Sequence, residues 1–370
     1  MPRVLWYYFV ALRLPQASIS RATALENAIG LEQKIMNAVQ KSRIGIGFIG
    51  AGNIAEIHKA ALLKIPGVAL AAVYDVDEDR SRKLAADAGA RVCHSADELV
   101  AARDVDVVYV LTPLAGHYEN AVRSLRAGKH TFIEKPVSLS RKELLEMIRL
   151  SKANSCHCVP GHNYIHAPGL RSARQLIQSG RLGEICSLWI FFMVYLPEQI
   201  CRTVQGVLRE VMVHHFYSLL YLMGKPESVF ATNSDRRRFG MNQEDQALVV
   251  CSMPGGAVAT LFASFSTDDF TSDPWTLKYK ILGSEGSASH TWSHTRLSGR
   301  PQPLWDLPAY WETFEEEDHY FIEECVRGGK KPLSELQDAL TSLDILLAAE
   351  KSIETGASQK LKEDIALIKT

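Results

Sequence analysis

The run from Ile44 to Ala55, Ile-Gly-Ile-Gly-Phe-Ile-Gly-Ala-Gly-Asn-Ile-Ala, constrains this chain more than any other stretch. Small and β-branched residues lead into closely spaced glycines. Ile54, Ile57, His58, Ala61, Leu62 and Ile65 then follow at helical spacing. The order is strand, glycine turn, helix. Gly50 permits the tight turn, Gly52 lets a pyrophosphate approach the backbone with no Cβ in the way, and Ala55 keeps the helix close to the strand. Asn53 and Ile54 open the helix, where free N–H groups and the positive dipole end suit phosphate. A glycine turn alone is a weak sign, and an ordinary β-turn-α unit with a solvated Asp is the plain rival. The spacing to Asp75 strengthens the dinucleotide reading. A second strand, Val68–Tyr74, runs into Asp75, 20 residues beyond Ala55. From there a carboxylate accepts hydrogen bonds from an adenosine ribose. It welcomes a 2′-hydroxyl and repels a 2′-phosphate, so the expected cofactor is NAD, with NADP as the lesser alternative.

At 370 residues, two domains are expected, and a hydrophobic content of 46% supplies sizeable cores. The net charge of −1 offers no basic field for nucleic acid or an anionic membrane. Residues 1 to 43 precede the first strand and read as an extension of unclear role. Their apolar opening is short and broken by Arg13, so it cannot span a bilayer. Arg3, Arg13 and Arg21 precede the first acid, Glu26, in a faint likeness to an organelle presequence. Seven scattered cysteines form no disulfide framework and fit a cytoplasmic location. Cys156-His157-Cys158 lacks a second ligand pair at zinc spacing, so no metal is expected.

From 44 to 162, strand and helix patterns alternate. Helices are expected over 79–88, from 95, over 114–127 and from 140, with strands over 105–111, 130–133 and 156–161. Such alternation implies an α/β fold with a doubly wound parallel sheet and a ligand crevice at the carboxyl ends of its strands. Thr112, Pro113, Glu134 and Lys135 are therefore expected around the glycine turn. Over 163–370 the pattern changes to a helix at 169–179, an apolar helix at 206–224, a last helix at 336–354, and β-like runs over 185–196, 228–233, 246–252, 257–266 and 275–282. Hairpin signals at 253–256 and 283–286 make the second sheet mostly antiparallel, in an α+β domain. The last helix is a candidate to pack back on the first domain.

The glycine turn, Thr112-Pro113 with His117, and Ala127-Gly-Lys-His-Thr-Phe-Ile-Glu-Lys-Pro136 together resemble the glucose–fructose oxidoreductase, inositol dehydrogenase and rhizopine-catabolism (Gfo/Idh/MocA) family. The 161–164, 180–184 and 321–332 segments match as well, so the resemblance covers 44 to about 360. It implies an NAD(P)-dependent oxidoreductase acting on a secondary alcohol or ketone of a sugar, polyol or related cyclic compound, with dimers or tetramers built on the open sheet face. It places Thr112, Pro113, His117 and Glu134 at the cofactor and makes Lys135 a catalytic lysine. Desolvation and the nicotinamide's charge are expected to lower the Lys135 pKa, while Glu134 orients that lysine or approaches the nicotinamide ribose.

Residues 206–217 align imperfectly with the family's D-x-G-x-H-x-x-D motif. Glu210 stands for the first Asp, Met212 for the Gly, and Tyr217 for the last Asp, while His214 matches. On one helix, Glu210, His214 and Tyr217 would share a face. His214 is the candidate general base, with Glu210, His215 and Tyr217 beside the substrate. Tyr217 can hydrogen-bond the imidazole but brings no negative charge. Asn163 and Tyr164 sit at the domain junction as candidate hydroxyl-binding groups. Two alternatives stand: a relative that uses tightly bound NAD for redox-assisted elimination or glycoside cleavage, and a non-catalytic dinucleotide-binding regulator.

Overall fold

The computed structural model describes residues 43–194, 198–202, 205–234, 243–265, 276–291 and 308–361. Residues 1–42 of the expected extension lie outside these residues. The first sheet has six parallel strands: β1 (Ile44–Ile49), β2 (Val68–Tyr74), β3 (Arg91–Val92), β4 (Val107–Val110), β5 (His130–Ile133) and β6 (Cys158–Pro160). Their order is β3-β2-β1-β4-β5-β6. Every residue of β1 and β4 is buried, as central strands covered by helices on both faces require. The order reverses between β1 and β4, which opens the crevice at their carboxyl ends.

Five helices serve this sheet: α1 (Asn53–Leu62), α2 (Glu78–Ala88), α3 (Ala96–Ala101), α4 (His117–Arg126) and α5 (Arg141–Ala153). Their caps follow the sequence closely. Asp77, Ser95 and Ser140 side chains accept N–H groups from the first turns of α2, α3 and α5. The helix expected over 114–127 opens instead with a tight 3₁₀ turn, Leu114–Gly116.

After α6 (Pro168–Gln178) comes the second sheet. Its strands are β7 (Ile185–Met193), β8 (Ser228–Ser234), β9 (Gln246–Ser252), β10 (Val258–Ser264), β11 (Thr276–Gly283), β12 (Ser287–Thr291) and β13 (Gln359–Lys360), in the order β12-β11-β7-β10-β9-β8-β13. All neighbours are antiparallel except β7 and β10. On β7, Leu188, Ile190 and Phe192 point into the core, while Trp189 is 46% exposed on the other face. Phe230 and Val258 are also exposed on their strands.

The helix expected over 206–224 is two helices, beside the short α7 (Glu198–Cys201). They are α8 (Val207–Glu210) and α9 (Met212–Met223), separated at Val211, whose backbone leaves ideal helical geometry (φ −103°, ψ −46°). Helix α10 (Pro308–His319), a π-helical stretch at Tyr320–Arg327, and the edge strands β3, β12 and β13 are absent from the sequence reading. The last helix, α11 (Leu336–Thr355), starts at a Glu335/Asp338 capping box and stops at Gly356 in the left-handed region. It lies along β8, where the Ser352 hydroxyl accepts the Ala231 N–H at 2.9 Å, and pairs Asp344 with Arg141 of α5. No described helix is long and apolar enough to cross a membrane.

Candidate active site

The glycine turn is built as its chemistry needs. Gly50 has φ +106°, and a Cβ there would stand 2.6 Å from the Leu111 carbonyl. Gly52 is different. Its φ is an ordinary −81°, and a Cβ would meet no protein atom within 4 Å. That position faces open crevice, at the N-terminus of α1 where Asn53 and Ile54 begin the helix. Ala55 is fully buried against the sheet. The Asp75 carboxylate is held at the same rim: Oδ2 accepts the Ala51 N–H at 2.6 Å and Oδ1 accepts the Asp77 N–H at 2.8 Å. A helix N-terminus without a side-chain cap, a missing Cβ and a fixed acid 20 residues beyond Ala55 fit a dinucleotide.

Thr112 and Pro113 follow β4, as expected. His117 is enclosed: Nδ1 lies 2.9 Å from the Pro136 carbonyl and Nε2 2.7 Å from that of Thr112. It staples the loops after β4 and β5 together, and its ring is not free to meet a ligand.

Lys135 follows β5. Its ammonium donates to Glu210 Oε1 at 2.8 Å, so a lysine from the first sheet meets a carboxylate from α8. Burial pulls the lysine's pKa down, but Glu210 and then Glu134 outweigh it, and the value ends above the ordinary one. In the protein without cofactor this runs opposite to the expected lowering, because no local residue pattern announces that Glu210 reaches Lys135. Glu134 does not orient the ammonium either. Its Oε2 accepts the Lys135 backbone N–H at 2.9 Å, and its Oε1 lies 3.3 Å from His58 Nε2.

Beneath Lys135 lies a charged cluster that the sequence reading missed. His58 of α1 is fully buried between Glu134 and Asp318 of α10, with Nδ1 2.9 Å from Asp318 Oδ2. The Tyr109 hydroxyl donates to Asp318 at 3.0 Å. Burial lowers the His58 pKa, but Asp318 and then Glu134 outweigh it and raise it to about 10. Burial pushes Glu134 up, while His58 and Lys135 carry it below the usual carboxylate range. Burial raises Glu317, next to Asp318, well above that range. The available signal was a run of four acids, Glu315 to Asp318, in a helix that also carries three aromatics, opposite a histidine on the apolar face of α1.

His214 lies within reach of the Lys135 charge. Burial first, then the charge of Lys135, pushes its pKa well below 6.5, so it is neutral. Its ring stacks on Tyr164 with centroids 4.1 Å apart, and Nδ1 lies 2.5 Å from the Tyr217 hydroxyl. Among the described residues, Nε2 has no protein partner.

The other residues expected at the substrate stand elsewhere. His215 is fully buried, edge-on to Phe192, because adjacent helical residues diverge by about 100°. Tyr217 is 1% exposed and Asn163 3%, and their polar atoms face one another behind His214. Tyr164 is a floor for the His214 ring. Glu210 does not share a helix face with His214, since the break at Val211 separates them, and it pairs with Lys135 instead.

The fold and this site define a two-domain, dinucleotide-binding oxidoreductase. Residues 44–162 match the model of the Gfo/Idh/MocA oxidoreductase family with its NAD-binding Rossmann fold, and residues 170–289 match a Gfo/Idh/MocA C-terminal domain. The chain belongs to the Gfo/Idh/MocA family. It is 28% identical to a myo-inositol 2-dehydrogenase of Thermotoga maritima over 86% of this chain and 99% of that protein. It is 24% identical to a 1,5-anhydro-D-fructose reductase of Ensifer adhaerens over 85% and 98% of the two chains. The crystal structure of a probable dehydrogenase from Thermotoga maritima superposes with a TM-score of 0.78 at 26% identity, covering 86% of this chain and 98% of that one.

Proposed function

We propose that the chain transfers hydride between NAD and a secondary alcohol or ketone of a sugar, polyol or related cyclic compound. What supports this reading is the part-buried Lys135 ammonium, whose charge reaches the neutral His214 imidazole across the mouth of the parallel sheet. Lys135 donates a hydrogen bond to the substrate oxygen, and His214 exchanges its proton. Residues 44–162 hold the cofactor and residues 163–370 the substrate. Asp75 receives the adenosine ribose, and Val76, 92% exposed beside it, offers apolar cover to the adenine. The nicotinamide, when bound, supplies the hydride acceptor or donor. The relatives' names, an inositol dehydrogenase and an anhydrosugar reductase, fit a ring carbon bearing a hydroxyl.

The outer face of the second sheet, with Trp189, Phe230 and Val258 exposed, is the surface proposed to pair copies into a dimer or tetramer. All seven cysteines are free thiols, in keeping with a reducing cytoplasm. The test is NADH formation from NAD with a panel of inositols and sugars. Net NADH with a ketone product supports the reading. Turnover of a sugar without net NADH favours the redox-assisted elimination alternative.

A further inference from the structure

A buried hydrogen-bond chain ends on His214, and its direction can be followed from the far end. The Thr313 hydroxyl, on α10, donates its single proton to the Tyr310 carbonyl at 2.7 Å. Its oxygen can therefore only accept from Asn163, whose Nδ2 lies 2.9 Å away. That fixes the amide orientation and turns Asn163 Oδ1 toward the Tyr217 hydroxyl at 3.2 Å. Tyr217 spends its one proton on that oxygen. Its own oxygen then accepts the Tyr164 N–H at 3.3 Å and faces His214 Nδ1 at 2.5 Å. With the tyrosine proton committed, the proton in the last bond must come from the histidine. Thr313, Tyr217 and Asn163 are all buried, so water does not compete for these bonds.

We propose that Thr313, Asn163 and Tyr217 are positioning residues that hold His214 as the Nδ1–H tautomer, leaving the Nε2 lone pair toward the substrate. This rests on the reading of His214 as the proton-exchanging group and deepens it. With Lys135 as donor and Nε2 as acceptor, the resting site matches a hydroxyl, which accepts from the first and donates to the second. A ketone offers acceptors only, so it leaves Nε2 unpaired until the imidazole takes up a proton. The substrate class recognised in the resting state is therefore the alcohol. An uncharged chain orients the ring here, where the family pattern would place a carboxylate at position 217.

The test is the tautomer itself, read by ¹⁵N–¹H correlation on the full chain labelled at histidine, without substrate. The His214 signals are assigned by their loss in His214→Gln. The expected result is a protonated Nδ1 and an unprotonated Nε2 in the wild type. Thr313→Val removes the acceptor for Asn163. The amide is then free to turn and the tyrosine proton to pass to Nδ1, so the population is expected to move to the Nε2–H form. Thr313→Ser should restore the wild-type signals. An Nε2–H tautomer in the wild type would overturn the proposal, whatever the variants do. So would a Thr313→Val protein that keeps the wild-type tautomer. A missing oxidoreductase activity would leave these signals untouched, so failure of the functional reading is distinguishable from failure of this one.

Discussion

Replacing His58 with Gln should cost stability in a pH-dependent way. His58 is fully buried, and its pKa is raised from 6.5 to about 10 because Asp318 and Glu134 outweigh the burial that lowers it. A folded-state pKa above the unfolded one gives stability that is complete below about 6.5 and is lost as pH rises through about 10. The shift corresponds to an upper bound of roughly 5 kcal/mol across that window, since each pH unit is worth about 1.4 kcal/mol. His58→Gln leaves Asp318 and Glu134 without their cation, and breaking a buried pair in this way costs about 3–5 kcal/mol. For a chain of this length, with an unfolding entropy of about 2 cal/mol/K per residue, that is a Tm loss of roughly 4–6 °C near neutral pH. The assay is thermal melting of wild type and variant at several pH values from neutral upward. The gap should shrink as wild-type His58 loses its proton. A gap that stays constant from neutral pH to beyond 10 would refute the assignment of a buried imidazolium.

Four further variants test the site. Gly52→Ala should leave the Tm of the cofactor-free protein unchanged, since the added Cβ meets no protein atom, yet weaken NADH binding in a fluorescence titration. Gly50→Ala should lower both, because its φ of +106° and the nearby Leu111 carbonyl oppose a side chain; equal effects at the two glycines would contradict the crevice geometry. Glu210→Gln removes the largest influence raising the Lys135 pKa, so the basic limb of kcat/KM should move to lower pH, and an unmoved limb would separate this ion pair from catalysis. Asp75→Ala should narrow the preference for NADH over NADPH, and an unchanged ratio would remove Asp75 from cofactor choice.

Much of the first sheet was legible because its signals are local. The glycine turn, the acid after β2 and the Ser caps of α3 and α5 each specify a conformation within a few residues. Lys135 was marked by the family resemblance that its Glu-Lys-Pro run carries, not by a local conformational signal. The second half was readable as strands but not as a site. Glu210 lies 75 residues from the lysine it pairs with, and Asp318 lies 260 from His58. Helical spacing grouped Glu210, His214 and Tyr217 on one face because nothing in the residues announced the break at Val211. It placed His215 at the substrate because adjacency in sequence says nothing about which side of a helix is covered. Asn163 read as a ligand contact because it stands at the domain junction, and only the fold supplies Thr313 and Tyr217 as its partners.

The most direct measurement is the rate of NADH formation from NAD and a panel of inositols and sugars, by wild type and by Lys135→Met, with NADH binding measured on both. The expected result is net NADH and a ketone product from at least one cyclic alcohol, with kcat/KM reduced about 10²–10⁴-fold in Lys135→Met while NADH binding is retained. Wild-type protein that binds NADH yet oxidises none of these alcohols, or a Lys135→Met variant with full activity, would contradict the assignment of Lys135 and His214 to hydride-transfer chemistry.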